Sequence, residues 1–139
     1  MSMTDATEDD VLDYILGNVA VSFTPGGMHL ALFTADPTDA YDNTLEVDES
    51  GSTVDTNYAR QPLTFGASSG GSASTITTAQ TFAAISGSGY VVTYFGIFDH
   101  LTNLTAGALI YSAALATPVT RVAGQTLVFD IGNITVTQS

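Results

Sequence analysis

Residues 90–98 read YVVTYFGIF, and this stretch carries the clearest sign of the fold. Apart from one glycine, its residues are β-branched or aromatic, the types that are enriched in strands. It is one of eight short β-prone runs after residue 27, and Gly, Asn, Asp and Pro separate these runs. Such spacing is typical of antiparallel sandwiches and barrels. The sequence therefore predicts a mainly β protein, an antiparallel β-sandwich similar to a jelly roll.

The other candidate strands have the same character. They are MHLALFT (28–34), ARQPLTF (59–65), STITTAQTF (74–82), ALIYSAAL (108–115), PVTRV (118–122), TLVFD (126–130) and NITVT (133–137). Pro62 interrupts the second of them, and proline cannot donate a hydrogen bond to a neighbouring strand. We therefore expect an edge strand or a bulge there. The aromatic side chains of these runs are expected to pack in the core rather than to form a stacking platform for a ligand.

A different pattern precedes the strands. The stretch TEDDVLDYILGNV places apolar residues at helical spacing, and Thr7 stands three residues before Asp10, as in a capping box. We predict one short helix over residues 8–17. The length of 139 residues fits one domain. The sequence thus predicts a flexible tail over residues 1–7 and a single β-sandwich domain with an N-terminal helix over residues 8–139.

The charge is almost entirely negative. The chain has 14 carboxylates, two arginines and no lysine, which gives a formal net charge of −12. Binding to nucleic acid or to an anionic membrane needs cationic side chains, so neither partner is expected. No apolar run reaches the roughly 18 residues that span a bilayer, and no membrane insertion is expected. Salt screens repulsion among carboxylates, so the composition favours a salt-rich habitat, with an ordinary acidic protein as the alternative.

The segment from Asp36 to Asp55 concentrates this charge. It contains seven carboxylates and no cationic residue, and we interpret it as a long solvent-facing loop. Asp36, Asp39 and Asp42 offer oxygen ligands for a cation, but their spacing does not match an EF-hand loop. A solvated acidic loop is the favoured interpretation, and a structural cation bound by these three residues is the alternative.

No residue pattern predicts an enzyme. The run GASSG (66–70) matches the G-x-S-x-G nucleophile motif around Ser68, but small residues follow where a helix should begin. His29 and His100 are the only histidines, and neither has ligand-type spacing. Cysteine is absent, which excludes disulfides and thiolate chemistry. We expect a non-enzymatic protein without a cofactor or a metal.

Several runs resemble the small structural proteins of tailed viruses that are described as tail-fibre or fibre-like proteins. They are LALFTADPTD (30–39), YARQPLTFGASSGG (58–71), TYFGIFD (93–99), GALIYSAAL (107–115) and VAGQTLVFDIGNITVT (122–137), after an N-terminal helix. The resemblance covers about residues 8–137. This chain has a longer connection before YAR and is more acidic than such proteins usually are. Both departures suit a halophilic version from a virus of haloarchaea.

The resemblance implies a non-enzymatic virion protein on the surface of a tailed virus. Its place would be a capsid decoration or turret, or the tail fibre or baseplate. Its expected partners are other virion proteins and further copies of itself, in a trimer or pentamer, because the edges of a sandwich must be covered. It would be made in the host cytoplasm and located in the virion. The alternative function is a module that binds glycan or S-layer on the host cell surface during adsorption.

Arg60 is the candidate site residue, because a chain so poor in cations keeps one where the acidic segment meets a strand. An exposed pair with a nearby carboxylate would contribute about 0–1 kcal/mol. The YARQ match favours the other interpretation. In it, Arg60 makes bidentate contacts, which lysine cannot reproduce, and clamps the acidic loop or a neighbouring subunit.

Overall fold

The computed structural model describes residues 2–18, 20, 27–38, 45–47, 55–68, 72–101 and 108–137. These residues form one helix, α1 (Asp5–Leu16), and nine strands. The strands are β1 (Ser2–Met3), β2 (His29–Phe33), β3 (Gln61–Pro62), β4 (Ser72–Thr75), β5 (Gln80–Phe82), β6 (Tyr90–Phe98), β7 (Leu109–Arg121), β8 (Leu127–Phe129) and β9 (Thr135–Thr137). Every strand pair is antiparallel. The predicted mainly β fold with one short helix is confirmed.

The largest sheet has five strands in the order β1-β7-β6-β2-β3. Two further strand pairs, β4–β9 and β5–β8, complete a sandwich-like arrangement. The main core joins these layers, since Val92 and Ile97 of β6 belong to one cluster with Phe82 of β5 and Phe129 of β8. The expected aromatic core is thus present. For Pro62 the sequence predicted an edge strand or a bulge, and β3 is at the edge, since it ends the sheet order.

Strand β2 is buried on both of its faces. Leu30 and Leu32 belong to the main core, whereas Ala31 and Phe33 pack with Phe98 and other residues in a second cluster on the opposite face. This explains why the run LALF is apolar throughout rather than alternating. Strand β2 therefore lies at the centre of the packing, with core residues on both of its faces.

The outer edge of β2 is also covered. Strand β3 pairs with its first half, and Glu46 forms a bridge with Phe33. The amide of Val47 donates to the carbonyl of Leu32 at 2.9 Å. The middle of the acidic segment therefore lies along the sheet as backbone, although the sequence predicted a solvent-facing loop there.

Helix α1 begins at Asp5, three residues before the predicted start, and ends at Leu16. Residues 2–7, for which the sequence predicted a flexible tail, form β1, the N-cap Thr4 and the first helical turn. Thr7 lies inside the helix and is buried, so it does not cap it. The reason is tertiary: the Thr4 hydroxyl donates to the carbonyl of Leu109 at 2.6 Å, across 105 positions of the chain.

Two strand boundaries also differ from the prediction. Two predicted strands form the single 13-residue strand β7, which continues through Pro118. Val92 pairs with Val119 and Tyr94 with Ala114, so residues 115–118 bulge opposite Thr93. A bulge is where a strand tolerates a proline that cannot donate to its neighbour. The predicted run 74–82 is divided between β4 and β5, which pair with different strands.

Candidate functional site: two buried arginines

Arg60 lies directly before β3 and is almost completely buried, with 2% of its surface exposed. Its Nε donates to Oε1 of Glu46 at 2.8 Å, and its Nη2 donates to Oε2 at 2.7 Å. The side chain of Glu46 is fully buried as well. A guanidinium presents two parallel donors to a carboxylate, which an ammonium group cannot do. The pair therefore fixes both the position and the orientation of Glu46.

Two further contacts hold the Arg60 side chain. Nη1 donates to the carbonyl of His100 at 3.1 Å, just beyond the end of β6. The guanidinium carbon lies 3.6 Å from the centroid of the Phe98 ring, within the range of a cation–π interaction. One side chain thus connects the acidic segment, the approach to β3 and the end of β6.

Tyr58 extends this cluster to β2. Its hydroxyl donates to Oε1 of Glu46 at 3.1 Å and accepts a hydrogen bond from the amide of Leu32 at 3.0 Å. Its ring stacks on Phe82 in the core, with 5.7 Å between centroids. Burial raises the pKa of Tyr58 well above its ordinary value, and the Glu46 charge raises it further. The hydroxyl therefore stays protonated and remains a donor to Glu46.

Arg121, the only other cationic side chain, is also buried, with 1% exposed. Its Nη2 donates to the carbonyls of Ala83 at 2.6 Å and Gln125 at 2.9 Å. Its Nη1 donates to the hydroxyl of Tyr90 at 2.7 Å. That hydroxyl donates in turn to Oδ2 of Asp55 at 2.9 Å. Tyr90 therefore links the second arginine to the last carboxylate of the acidic segment.

Asp55 accepts hydrogen bonds on both carboxylate oxygens. The amides of Ser86 and Asn57 and the hydroxyl of Ser86 donate to Oδ1 at 3.1–3.2 Å. Burial on its own would raise the pKa of Asp55, but the hydrogen bonds from Ser86, Tyr90 and Asn57 outweigh it and lower the pKa. The carboxylate is therefore ionised at neutral pH and holds the turn at residues 55–58 against the loop after β5.

Both arginines thus hold the acidic segment, one through Glu46 and the other through Tyr90 to Asp55. Arg60 donates through all three of its nitrogens, and Arg121 donates through both Nη groups, while the Nε of Arg121 is buried without a partner among the described residues. Both guanidinium groups are screened from solvent, so the geometry suits a structural clamp. Sequence reasoning identified Arg60 but not its partner Glu46. It also did not identify the second cluster, which consists of Asp55, Tyr90 and Arg121. The scarcity of cations was the signal available for Arg121, since it applies equally to both arginines.

The family model of the podophage GP4 fiber I protein gp80 matches residues 2–137. The chain belongs to this family. The match spans α1, all nine strands and both arginine clusters. The predicted resemblance to the fibre proteins of tailed viruses is therefore confirmed at the level of the family. No curated protein matches the sequence.

The acidic residues proposed as cation ligands are only partly described in this fibre-family chain. Asp36 accepts a hydrogen bond from the amide of Thr38 at 3.0 Å, which closes a local turn. Asp39 and Asp42 lie outside the described residues. Within the described ranges, no group of three His, Asp or Glu side chains is placed to hold a metal ion.

The nucleophile motif GASSG is described as far as Ser68. Ser68 is exposed, and strand β4 follows where a nucleophile elbow requires a helix. His29 lies in β2 beside the end of β6, and burial lowers its pKa. His100 is exposed, and its carbonyl is the group that Arg60 contacts.

No helix in the described part of the chain is long and apolar enough to cross a membrane.

Proposed function

We propose that this member of a tailed-virus fibre family is a non-enzymatic structural subunit of the virion tail fibre or baseplate, and that it works as a homo-oligomer. The family match over residues 2–137 carries this proposal. The clusters around Arg60 and Arg121 support it. Both arginines make internal contacts that hold the acidic segment in place, as a rigid structural subunit requires.

Exposed apolar side chains support self-association. Val128 of β8 is 45% exposed, and Ile131, just after that strand, is 67% exposed. A shallow, mostly apolar concavity of about 460 Å³ lies between β7 and β8 and includes Leu115, Val119 and Val128. Apolar patches on a protein surface are typical of interfaces. A trimer or pentamer would bury this region around a symmetry axis.

Light scattering at molar salt and high micromolar concentration tests the oligomer. We expect the mass of three or five chains for the natural protein, and a lower mass for Val128→Asp. Leu101→Asp serves as the control. Leu101 follows the C-terminal end of β6 and is 54% exposed, and its substitution adds the same charge. A monomer under these conditions would contradict the proposed assembly.

Electron microscopy of virions with this chain labelled tests the location. Label on the tail supports the proposal, while label on the capsid would replace it with a decoration or turret role. Purified protein that binds host cells and blocks infection would favour the adsorption module. A virus of haloarchaea is the source that we propose, and the acidic, lysine-free composition supports it.

A further inference from the structure

Hydrogen bonds to the sheet hold helix α1 at its start. The hydroxyls of Thr4 and Thr7 donate to the carbonyl of Leu109 at 2.6 and 3.4 Å, and the amide of Thr4 donates to the carbonyl of Ile110 at 3.2 Å. Thr7 is the one buried residue within the helix. The anchored part is therefore the first turn, while most side chains in the second half of α1 are exposed.

That second half exposes large apolar side chains. Leu12, Tyr14, Ile15 and Leu16 are 55%, 61%, 71% and 64% exposed. The helix nonetheless has a well-formed end. Gly17 adopts φ +77°, its amide donates to the carbonyl of Tyr14, and the amide of Asn18 donates to that of Asp13. Leu12, Ile15 and Leu16 share one face of the helix, and such an exposed apolar face is typical of a surface that another molecule covers.

The exposed end continues into an apolar hollow. The hollow measures about 290 Å³ and lies between α1 and the sheet. Its lining includes Val11, Met28, Phe65 and Tyr111. Val11 and Ile15 are one helical turn apart on the same face, so the hollow and the exposed end form one surface. We call Leu12, Ile15, Leu16 and this hollow the α1 surface.

Charge decides what kind of protein fits the α1 surface. The helix carries five carboxylates, at Asp5, Glu8, Asp9, Asp10 and Asp13. A second copy of the chain has no exposed cation to set against them, because Arg60 and Arg121 are its only cationic residues and both are buried. Two copies meeting there would place carboxylates against carboxylates. A different protein is free to supply lysine and arginine.

We propose that the α1 surface docks onto a different protein of the virus particle, at an apolar groove rimmed by Lys or Arg side chains. The apolar side chains supply the buried area, and the five carboxylates select the partner and set the orientation. Self-association uses the β7–β8 region instead. This inference rests on the proposed role as a virion subunit, and it assigns α1 as the attachment element.

Rebinding of the purified chain to virus particles that were produced without it tests this inference. The double variant Ile15→Gln, Leu16→Gln removes apolar surface, keeps the charge and uses a residue with good helix propensity. We expect it to bind at least tenfold more weakly than the natural protein. Leu101→Gln, which changes a similarly exposed residue elsewhere, is expected to bind as the natural protein does. Circular dichroism confirms that each variant is folded.

The ionic-strength dependence of binding separates a cationic partner from an acidic one. Over the salt range in which the fold is intact, we expect binding to particles to weaken as salt rises, because salt screens attraction between opposite charges. Binding that strengthens with salt would overturn the cationic rim. A loss of oligomer mass in the double variant would overturn the inference by making a second copy the occupant of the α1 surface.

The remaining outcomes separate this inference from the proposed function. If the natural protein and the double variant rebind particles equally well, α1 is not the attachment element, while the role as a virion subunit stands. If even the natural protein fails to rebind, the proposed virion role is contradicted, and the inference with it.

Discussion

Arg60 shows how a single cation becomes essential in a chain of this composition. Removing two charges from water costs several kcal/mol per ion, and a buried pair recovers this only with good geometry and further hydrogen bonds. Arg60 and Glu46 have both: two short parallel contacts, a carbonyl for Nη1 and a phenol for Oε1. The pair adds little net stability compared with an apolar pair of the same shape, but losing one member leaves a buried charge unpaired.

The first prediction concerns Arg60→Lys. Lysine keeps the charge but loses the parallel donors and the stacking on Phe98, and we expect a loss of about 2 kcal/mol in the free energy of unfolding. Urea denaturation measures it. Glu46→Leu should be worse, because it leaves a guanidinium buried without its carboxylate, and adding Arg60→Met to that variant should recover part of the loss. If Arg60→Lys had the same free energy of unfolding as the natural protein, the bidentate geometry would contribute nothing to stability.

The second prediction concerns pH. The folded-state pKa of Asp55 is lowered from its ordinary value of 3.8. Its stabilisation is therefore fully present above the unfolded pKa, and it is lost as pH falls through that value towards the folded pKa. We expect Asp55→Asn to be less stable than the natural protein at pH 7, with a difference that narrows below about pH 4. Thermal unfolding at pH 7, 5, 4 and 3 measures this, and a constant difference would contradict it.

Among the elements, the pair β6 and β7 organises the sheet. Its length was only partly predictable: the β-prone run at 90–98 corresponds to β6 residue for residue, but β7 was predicted as two strands. The two runs are separated by local residue types, whereas pairing with β6 on both sides of the bulge makes them one strand, with a shift of register at the bulge. Helix α1 was predicted from periodicity. Its start was not, because distant carbonyls of β7 set it.

The third prediction concerns the approach to β6. A Cβ added at Gly89 would lie 2.5 Å from the carbonyl oxygen of Arg121 and 3.3 Å from Cα of Val122. Because both contacts are backbone atoms, side-chain rotation cannot relieve them. We expect Gly89→Ala to cost about 1–3 kcal/mol of unfolding free energy, as overpacking does.

Ser88→Ala is the control for Gly89→Ala, since the exposed Ser88 directly precedes it and already carries a Cβ. Chemical denaturation of the two variants compares them. Equal stability would mean that β6 and β7 can separate at this end without cost.

For the whole molecule, the formal net charge of −12 dominates the physics. Both cations are buried, so no lysine or arginine offsets the carboxylates at the surface. Repulsion among these carboxylates opposes the compact state, and salt at molar concentration reduces its range to about 3 Å.

The fourth prediction follows from this screening. Lowering NaCl from molar concentration to about 0.1 M should lower the melting temperature, because the Debye length grows to about 10 Å. Differential scanning calorimetry measures the shift. Sucrose, which stabilises compact states without screening charge, is the control and should not replace the salt at equal osmolarity. An unchanged melting temperature over this range would contradict the proposed halophilic origin.

The sequence by itself determined the class of the fold, the presence of a helix near the N-terminus and the charge that disfavours nucleic acid, and it limited Pro62 to an edge strand or a bulge. These features depend on local propensity, on periodicity and on composition, which are properties of short stretches or of sums. It also drew attention to Arg60 through the scarcity of cations. It did not identify which carboxylate Arg60 meets, nor that Arg121 reaches Asp55 through Tyr90.

Those partners were decided by the tertiary structure. Glu46 and Arg60 are 14 positions apart, Tyr90 and Arg121 are 31 apart, and Asp55 and Tyr90 are 35 apart. No local rule chooses among seven carboxylates in the acidic segment at such separations. The choice follows from packing. Strand β2 is buried on both faces, and the segment around Glu46 pairs with its edge. The Glu46 carboxylate is therefore buried, and a buried carboxylate needs a cationic partner.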